Sequence, residues 1–152
     1  MISQSDVTAA LPTILSKTLA NATIMYHRVH GFHWNVTGED FPQWHAKFEE
    51  IYSDVYESLD PLAECIRKVG GTAPFTLSQL STMASITDEA PADYKPATLV
   101  ADLLATNTGV MASLNIAFQA ATAANQQGIV NFLSERIDQH SKWNWQLSVS
   151  LA

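Results

Sequence analysis

Apolar residues recur at three- and four-residue steps through the first part of the chain, which predicts one long amphipathic helix. Ser5 or Asp6 is a candidate N-cap, and Pro12 suggests that the regular helix begins near that position. The helix is expected to end within residues 33–38. Its apolar face comprises Val7, Leu11, Ile14, Leu15, Leu19, Met25, Tyr26, Val29 and Phe32.

A second long helix is predicted after a short polar link. Asp40 is its candidate N-cap, Pro42 falls in the first turn, and the Gly70–Gly71 pair supplies the stop. Pro61 lies inside this segment and is expected to bend the helix or remove one of its hydrogen bonds. The apolar face comprises Phe41, Trp44, Phe48, Ile51, Tyr52, Val55, Leu59, Leu62 and Ile66.

The segment 72–96 contains three prolines and many Ser, Thr and Ala residues, which indicates an irregular crossover with a short helix near 77–84. Two more long helices are predicted, over 97–124 and 129–151, with a turn at 125–128 between them. Their inward positions are Val100, Leu103, Leu104, Val110, Met111, Leu114 and Phe118, then Val130, Leu133, Ile137, Leu147 and Leu151.

This order of elements predicts an all-α fold. No segment alternates at period two, and no glycine-rich nucleotide-binding loop is present. Four long helices with one long connection between the second and third describe a ferritin-like four-helix bundle with a short extra helix in the crossover. At 152 residues, the whole of 1–152 is expected to form a single domain.

The amino-acid composition argues against some classes of binding partner and some cellular locations. The formal net charge is −7 and the eight Lys and Arg residues are scattered, so the chain is not expected to attract nucleic acid or an anionic membrane surface. A single cysteine, Cys65, cannot form an intrachain disulfide, which favours a reducing compartment. Neither a signal peptide nor an apolar run of membrane-spanning length is recognisable, so a cytoplasmic location is expected.

Candidate metal ligands lie on the second helix. His45 and Glu49 are four residues apart, as are Asp60 and Glu64, so each pair shares one helical face. The two pairs also lie on one stripe, because the eleven residues from Glu49 to Asp60 make about three turns. Imidazole and carboxylate groups together suit iron and other divalent first-row metals.

The spacing divides these ligands into two half-sites. Glu49 and Asp60 are about 16 Å apart along the helix axis, whereas metal–ligand bonds are about 2 Å long. One ion therefore cannot bind both pairs of one chain. Two copies of the helix, antiparallel about a twofold axis, would place His45 and Glu49 of one chain opposite Asp60 and Glu64 of its partner, with His33 able to reach the His45 half.

A simpler interpretation stays open for each residue alone. A single helical histidine is commonly structural, and acidic pairs such as Asp60 and Glu64 commonly form a solvated surface. The joint occurrence of five such groups along an apolar stripe favours metal binding, because burying them without a cation is costly. The chain contains no Glu-x-x-His motif, which argues against the di-metal site inside one subunit that other bundles use.

The stretch from His33 to Gly71 closely resembles the Dps miniferritins, the DNA-binding proteins from starved cells. The matching features are the opening His33-Trp34-Asn35, the step to His45 with an acid four residues later, the Asp60-x-x-x-Glu64 pair and the double-glycine end. Glu49 stands where many family members have Asp. The likeness continues through the crossover, Ala84 to Asp88, and the region of Trp145.

The resemblance implies a hollow homododecamer with iron sites at twofold interfaces. His33, His45 and Glu49 of one subunit and Asp60 and Glu64 of another would be both the catalytic and the metal-binding residues. The implied function is iron storage and detoxification by a ferroxidase that oxidises ferrous iron with hydrogen peroxide, or less efficiently with oxygen, and so protects against oxidative stress. Trp34 matches a family tryptophan thought to intercept radicals, although an ordinary interface aromatic explains it equally well.

Two features depart from the family. The basic terminal tail that usually binds DNA is absent, so direct DNA binding is not expected. Near the start of the last helix, where family members commonly carry pore-lining Asp, the chain has Asn and Gln residues, including Asn131, and no acid before Glu135. Iron would enter through a weakly attractive polar pore, or past Glu135 and Asp138, and the sequence does not choose between them.

Other residues and functions stay open. His27 and His30 could form an accessory metal site beside His33, but packed or hydrogen-bonded histidines are the default for them and for His140. Cys65 is expected to be a small buried residue. A nucleoid-compacting protein and a buffer or shell for zinc, copper or another divalent ion are the alternatives to the iron store.

Overall fold

The computed structural model describes residues 3–152, and these fold into five helices with no strand among them. Four of the helices are long and form a bundle, and one is short and lies in the crossover. Two antiparallel hairpins build the bundle: α1 packs on α2, α4 packs on α5, and α1 also packs on α4. The helices are α1 (Gln4–Asn35), α2 (Phe41–Lys68), α3 (Leu77–Met83), α4 (Pro96–Ala123) and α5 (Gln127–Ser150).

Helix α1 begins earlier than the sequence suggested. Its N-cap is Ser3, whose hydroxyl accepts a hydrogen bond from the Asp6 backbone N–H at 3.2 Å, so the predictions of a Ser5 or Asp6 cap and of a start near Pro12 were wrong. Pro12 lies within the helix, which continues on both sides of it. A proline in the first turns of a long helix removes one hydrogen bond, and the adjoining turns here keep the helical path.

Helix α2 has its predicted cap position but not the predicted capping bond. Asp40 precedes the helix and makes no side-chain hydrogen bond there, whereas its backbone carbonyl accepts the bond from the Trp44 N–H. The helix continues through Pro61, which lacks the N–H that would bond the Glu57 carbonyl.

The Gly70–Gly71 pair ends α2 for two separate reasons. Gly70 has a φ of +88°, a left-handed conformation that disfavours a side chain. A Cβ on Gly71 would come within 2.7 Å of the Pro12 Cβ and 2.9 Å of the Ile66 Cγ2, so the return of the chain past α1 leaves no room for one. The predicted stop is confirmed.

The crossover is held against the bundle by polar contacts. Arg28 of α1 is buried and forms a bidentate ion pair with Asp102 of α4, and it also donates to the Glu89 carbonyl at 2.6 Å. The Asn21 side chain accepts a bond from the Ser85 N–H and donates to the Ser85 hydroxyl. The segment between α3 and α4 is therefore fixed to the outside of α1.

The core runs along the bundle axis, and most of the predicted inward positions lie in it or against it. Two differ: Leu151 follows the end of α5 and is 42% exposed, and Phe41 at the start of α2 is 37% exposed. The turn between α4 and α5 is also shorter than predicted, because Gln127 and Gly128 already belong to α5. The largest fully buried side chains are Leu11, Leu15, Met25, Phe48, Ile51, Ile66, Leu99, Leu103, Leu133, His140, Trp143 and Leu147.

Helix α4 is the one helix of the described chain that is long and apolar enough to be a candidate membrane span by length and composition. In the bundle it packs against α1 and α5 and buries ten residues. Its apolar character is accounted for by this central position.

Candidate metal centre

The link between α1 and α2 positions the first two candidate ligands. Residues 36–40 turn the chain back, so the last turn of α1 lies beside the beginning of α2. His33 is thereby brought against His45, and their rings stack with centroids 3.7 Å apart and an interplanar angle of 15°. His33 is 8% exposed and His45 is half-buried.

Each of these histidines is held by the backbone of the other. The Nδ1 of His33 donates to the His45 carbonyl at 2.6 Å, and the Nδ1 of His45 donates to the His33 carbonyl at 2.7 Å. A neutral imidazole whose Nδ1–H is engaged in this way carries its lone pair on Nε2. Both rings are therefore fixed in the tautomer that offers Nε2 to a metal ion, an orientation commonly found in metal sites.

Glu49 lies next to His33 on the facing side of α2. One of its carboxylate oxygens lies 4.0 Å from the His33 Nε2, and its side chain is 60% exposed. The Tyr52 ring packs edge-on against His33, and burial together with the Glu49 carboxylate raises the pKa of the Tyr52 hydroxyl. Of the five predicted ligands, the structure thus brings His33 and His45 into contact and leaves the Glu49 carboxylate 4.0 Å from His33.

The other two predicted ligands, Asp60 and Glu64, lie further along α2 and are exposed. Nowhere within residues 3–152 do three or more His, Cys, Asp or Glu side chains meet in a way that could hold a metal ion. The five residues therefore do not assemble into one site within a single chain. The sharing of ligands between two subunits, inferred from the helix spacing, stays a prediction.

The surface around Asp60 is unusually apolar. Asp60 lines a groove of about 710 Å³ together with Tyr56, Leu59 and Phe75. Tyr56 is 58% exposed, Phe75 is 80% exposed, and Leu77 at the start of α3 is 74% exposed. Large aromatic and aliphatic side chains clustered at a surface commonly mark a protein–protein contact.

His30 has a different environment from the candidate ligands. Its Nδ1 is 3.0 Å from the Tyr26 hydroxyl, and its ring stacks on Tyr52 with centroids 4.0 Å apart. Burial lowers the pKa of His30, and the neighbouring His33 and His27 lower it further. The predicted default of a hydrogen-bonded histidine is confirmed, and the described chain holds no accessory three-ligand site in this region.

His140 belongs to the core. Its Nδ1 donates to the Asn107 side-chain oxygen at 2.7 Å, and its Nε2 accepts from Arg136 at 3.2 Å. Arg136 in turn forms a bidentate pair with Asp54, which also accepts a bond from the Trp143 indole. Burial and the Arg136 charge lower the pKa of His140 to about 3, so this histidine is neutral.

Two further groups beside these sites have shifted pKa values. Burial alone would raise the pKa of Asp54, but hydrogen bonds and charge from Arg136, with the Trp143 bond, bring it below its usual value. Cys65 is buried as predicted, and burial raises the pKa of its thiol, which keeps it protonated and unreactive.

Sequence reasoning missed several contacts. Tyr52 lies seven residues after His45 and therefore on the same face of the helix as the ligands. Its proximity to His33 could thus have been predicted from the spacing. The reciprocal bonds of His33 and His45 could not have been predicted, because they depend on the path of the link between α1 and α2. The Asn107–His140 pair joins two helices and leaves no local signal.

Comparisons with known proteins support the same family. A family model described as a ferritin-like domain matches residues 13–152. A DNA protection during starvation protein from Brevibacillus brevis is 28% identical over 97% of this chain and 99% of its own length. An uncharacterized protein from Haemophilus influenzae is 31% identical over 93% of this chain and 88% of its own length.

Solved structures of similar proteins share the fold over nearly the whole chain. A Dps protein from Staphylococcus aureus has a TM-score of 0.88 at 29% identity, covering 100% of this chain and 99% of the other. A Dps protein from Vibrio cholerae, described as a member of a superfamily of ferritin-like diiron-carboxylate proteins, has a TM-score of 0.91 at 25% identity, with 99% and 94% covered. The chain belongs to the ferritin-like family and, within it, to the Dps proteins.

Proposed function

We propose that residues 1–152 form one ferritin-like domain that assembles into a homododecamer and oxidises and stores iron. The ligands are His33, His45 and Glu49 of one subunit and the residues equivalent to Asp60 and Glu64 on another. The observation that carries this proposal is the reciprocal bonding of His33 and His45 through Nδ1, which leaves the Nε2 atom of each ring as the nitrogen available to a metal ion. We assign iron as the metal because the chain belongs to the ferritin-like family, which stores iron.

The arrangement between subunits follows from α2. A twofold axis beside this helix would place Asp60 of each copy opposite the histidine cluster of the other, and it would create two equivalent sites. The exposed Tyr56 and Phe75, which line the same groove as Asp60, would become buried in the same contact. Burial of such side chains would contribute about 2 kcal/mol each, so one contact surface would stabilise the dimer and form the metal site.

Each ligand has a separate role in the reaction. The imidazoles of His33 and His45 hold ferrous iron before oxidation, while the carboxylates stabilise the more highly charged ferric product. Hydrogen peroxide takes one electron from each of two ferrous ions: 2 Fe²⁺ + H₂O₂ + 2 H⁺ → 2 Fe³⁺ + 2 H₂O. Oxygen serves less efficiently as the oxidant. The ferric product is then deposited on acidic groups inside the cage.

The biological consequence of this chemistry is protection against oxidative stress. Ferrous iron and peroxide together generate hydroxyl radicals, and the reaction consumes both. The one cysteine, Cys65, is a buried free thiol, and a protein without disulfides is compatible with action in the reducing cytoplasm.

Direct DNA binding is not part of the proposed function, although several relatives carry DNA protection in their names. Within the described residues, three of the eight Lys and Arg side chains form ion pairs with carboxylates: Arg28 with Asp102, Arg136 with Asp54, and Lys47 with Glu50. The formal net charge of the chain is −7, which does not favour binding to DNA phosphates. An electrophoretic shift of duplex DNA at low salt, without added metal, would contradict this expectation.

Iron loading read together with native mass tests the proposal. We expect a dodecamer that oxidises ferrous iron rapidly with peroxide and more slowly with oxygen, and that retains the ferric product in solution. The variant carrying both His33→Ala and His45→Ala should remain assembled and lose this oxidation. The exposed His27, replaced by alanine, is the matched control.

Other results would favour the alternatives. Tight zinc or copper binding with no acceleration of iron oxidation would make the protein a buffer for those ions. Peroxide-driven oxidation that is unchanged in the double variant would exclude these histidines as ligands.

A further inference from the structure

A pocket of about 480 Å³ lies between the crossover and the bundle, and none of the five candidate metal ligands lines it. Its volume is within the range of small-molecule sites, roughly 300–1,000 Å³. One wall is a single face of α4, because its residues are spaced three and four positions apart. These residues are Asp102, Ala105, Thr106 and Gly109. The opposite wall is formed within the crossover segment 85–92.

The crossover wall is held in place by contacts with α1 and α4. The Ser85 N–H donates to the Asn21 side-chain oxygen at 2.8 Å, and the Glu89 carbonyl accepts from Arg28 at 2.6 Å. Ile86 packs so closely on Gly109 that a Cβ at position 109 would collide with the Ile86 Cγ2. Both walls of the pocket are therefore formed without a ligand, which lowers the cost of ordering the site on binding.

Arg28 lines the pocket but offers no free donor nitrogen to a ligand. Its side chain is 7% exposed, and Nε and Nη2 both bond the Asp102 carboxylate. Nη1 is 3.3 Å from the Asp88 carboxylate and also bonds the Glu89 carbonyl. All three guanidinium nitrogens are thus engaged within the chain, so the pocket is not built to receive an anion.

The charges around the pocket favour a cation. The carboxylates of Asp88, Glu89 and Asp102 surround the single guanidinium of Arg28, so this region carries an excess of two negative charges. Within the described residues, the Glu89 carboxylate forms no salt bridge. Of the backbone carbonyls in segment 85–92, only that of Glu89 accepts a hydrogen bond from another described residue. Acceptors without a protein donor are therefore present beside the pocket.

The remaining lining is apolar, which distinguishes between kinds of cation. Ile86, Ala90, Pro91 and Ala105 present hydrocarbon to the pocket. In residues 3–152, no three His, Cys, Asp or Glu side chains come together as a metal ion would require. Hydrocarbon walls with a few carboxylates suit an organic cation that has methylene groups of its own.

We propose that this pocket binds a short aliphatic diamine in its doubly protonated form. One ammonium group lies beside the Glu89 and Asp102 carboxylates, and the methylene chain packs against Pro91 and Ala105. The two positive charges neutralise the local excess of two negative charges. The bound diamine connects the crossover to α4, and it does so independently of the iron chemistry proposed above.

Calorimetric titration of the assembled protein with putrescine, in phosphate buffer at pH 7 and low salt, tests the proposal. We expect saturable binding of one molecule per subunit, which weakens as salt is added because charges at an open pocket are screened. Butanediol has the same carbon chain without the charges, and it should not bind.

Two variants locate the bound molecule. Ala105→Leu fills the pocket from the exposed side of α4 and should abolish binding, whereas Ala101→Leu, one turn earlier and outside the pocket, should bind normally. Glu89→Gln removes one carboxylate charge and should weaken binding by about two- to fivefold. Glu135→Gln makes the same change at an exposed position on α5 and is the matched control.

Several results would overturn the proposal. These are the absence of saturable putrescine binding, equal binding of butanediol, and undiminished putrescine binding in Ala105→Leu. Magnesium that binds as tightly as putrescine and is lost in Ala105→Leu would also contradict it, because the pocket would then select charge alone. If Ala105→Leu does not assemble, Ala90→Leu narrows the same pocket from the crossover: loss of binding supports the proposal, and full retention contradicts it.

Discussion

The Nδ1 atoms of His33 and His45 each donate to the backbone carbonyl of the other residue, at 2.6 and 2.7 Å. This exchange couples the end of α1 to the start of α2 and fixes both imidazoles in one tautomer. The Nε2 atom of each ring is consequently left as the metal-binding nitrogen before any metal arrives. Such preorganisation lowers the cost of ordering ligands on binding.

A redox-inert metal should reveal the composition of the site without any turnover. Cobalt(II) at about 100 times its dissociation constant should stabilise the folded protein by about 3 kcal/mol, seen as a higher thermal midpoint. We expect His45→Ala and Asp60→Asn to lose this stabilisation equally, because each removes a ligand from the same shared site. The control His27→Ala should retain it, and full retention in Asp60→Asn would remove that residue from the ligand set.

The carboxylate at position 49 should matter for its charge more than for its length. Glu49→Gln keeps the size of the side chain but removes the charge that stabilises ferric iron, so peroxide-driven oxidation should slow by more than about tenfold. Glu49→Asp should retain most of the rate, since it keeps the charged carboxylate. Stopped-flow absorbance of the ferric product measures both variants. Equal rates in Glu49→Gln and the wild type would contradict the role of this carboxylate.

Acid should destabilise the fold through His140. Its pKa is about 3 in the folded chain against 6.5 when unperturbed, so between these values the unfolded state binds the proton more readily than the folded one. Stability is therefore lost as pH falls from 6.5 toward 3, by up to roughly 1 kcal/mol per pH unit. The lowered pKa of Asp54 adds a further loss as pH falls below about 4, because the unfolded state then takes up a proton on this carboxylate while the folded state still keeps it ionised beside Arg136.

Thermal midpoints across this range, compared with His140→Gln, isolate the histidine contribution. The wild type should lose more stability between pH 7 and pH 4.5 than the variant, because glutamine does not titrate. The variant with His27→Ala retains His140 and should follow the wild type. Identical pH profiles for His140→Gln and the wild type would show that the buried histidine does not govern acid sensitivity.

The ion pair between Arg136 and Asp54 should contribute more than an exposed one. Arg136→Gln leaves the half-buried Asp54 carboxylate without its cation, which should cost about 2–3 kcal/mol of unfolding free energy. The pair of Lys47 and Glu50 is the internal control, because the Glu50 side chain is 51% exposed against 28% for Asp54, and Glu50→Gln should change stability by less than about 1 kcal/mol. Denaturant midpoints at pH 7 compare the two, and similar losses would show that burial does not distinguish them.

Much of the fold was predictable because the helices follow simple periodicity. The apolar stripes of α1 and α2, the stop at Gly70–Gly71 and the short helix α3 were all predicted from the sequence. The start of α1 was not, because Ser3, Ser5 and Asp6 are all competent caps and only the folded chain shows which is used. The exposed Leu151 lies after the last turn, where helical periodicity no longer applies.

The candidate site was predictable in part for a physical reason. Spacing along one helix shows that His45 and Glu49 share a face and that Asp60 is too distant to join them. It cannot show which backbone carbonyl orients an imidazole, or that Tyr26 bonds His30, because these contacts depend on how the helices cross. The pairing of Asp60 with another subunit stays a prediction.

The most direct test of that prediction is complementation between two inactive variants. Subunits carrying His45→Ala and subunits carrying Asp60→Ala are co-expressed in equal amounts, and peroxide-driven iron oxidation is measured. If each site takes ligands from two subunits, random pairing leaves one intact site in every mixed dimer and restores about one quarter of the wild-type sites. A mixture of His45→Ala with His33→Ala, which damages the same half twice, should stay inactive. Activity no higher than that of either parent in the first mixture would contradict a site shared between subunits.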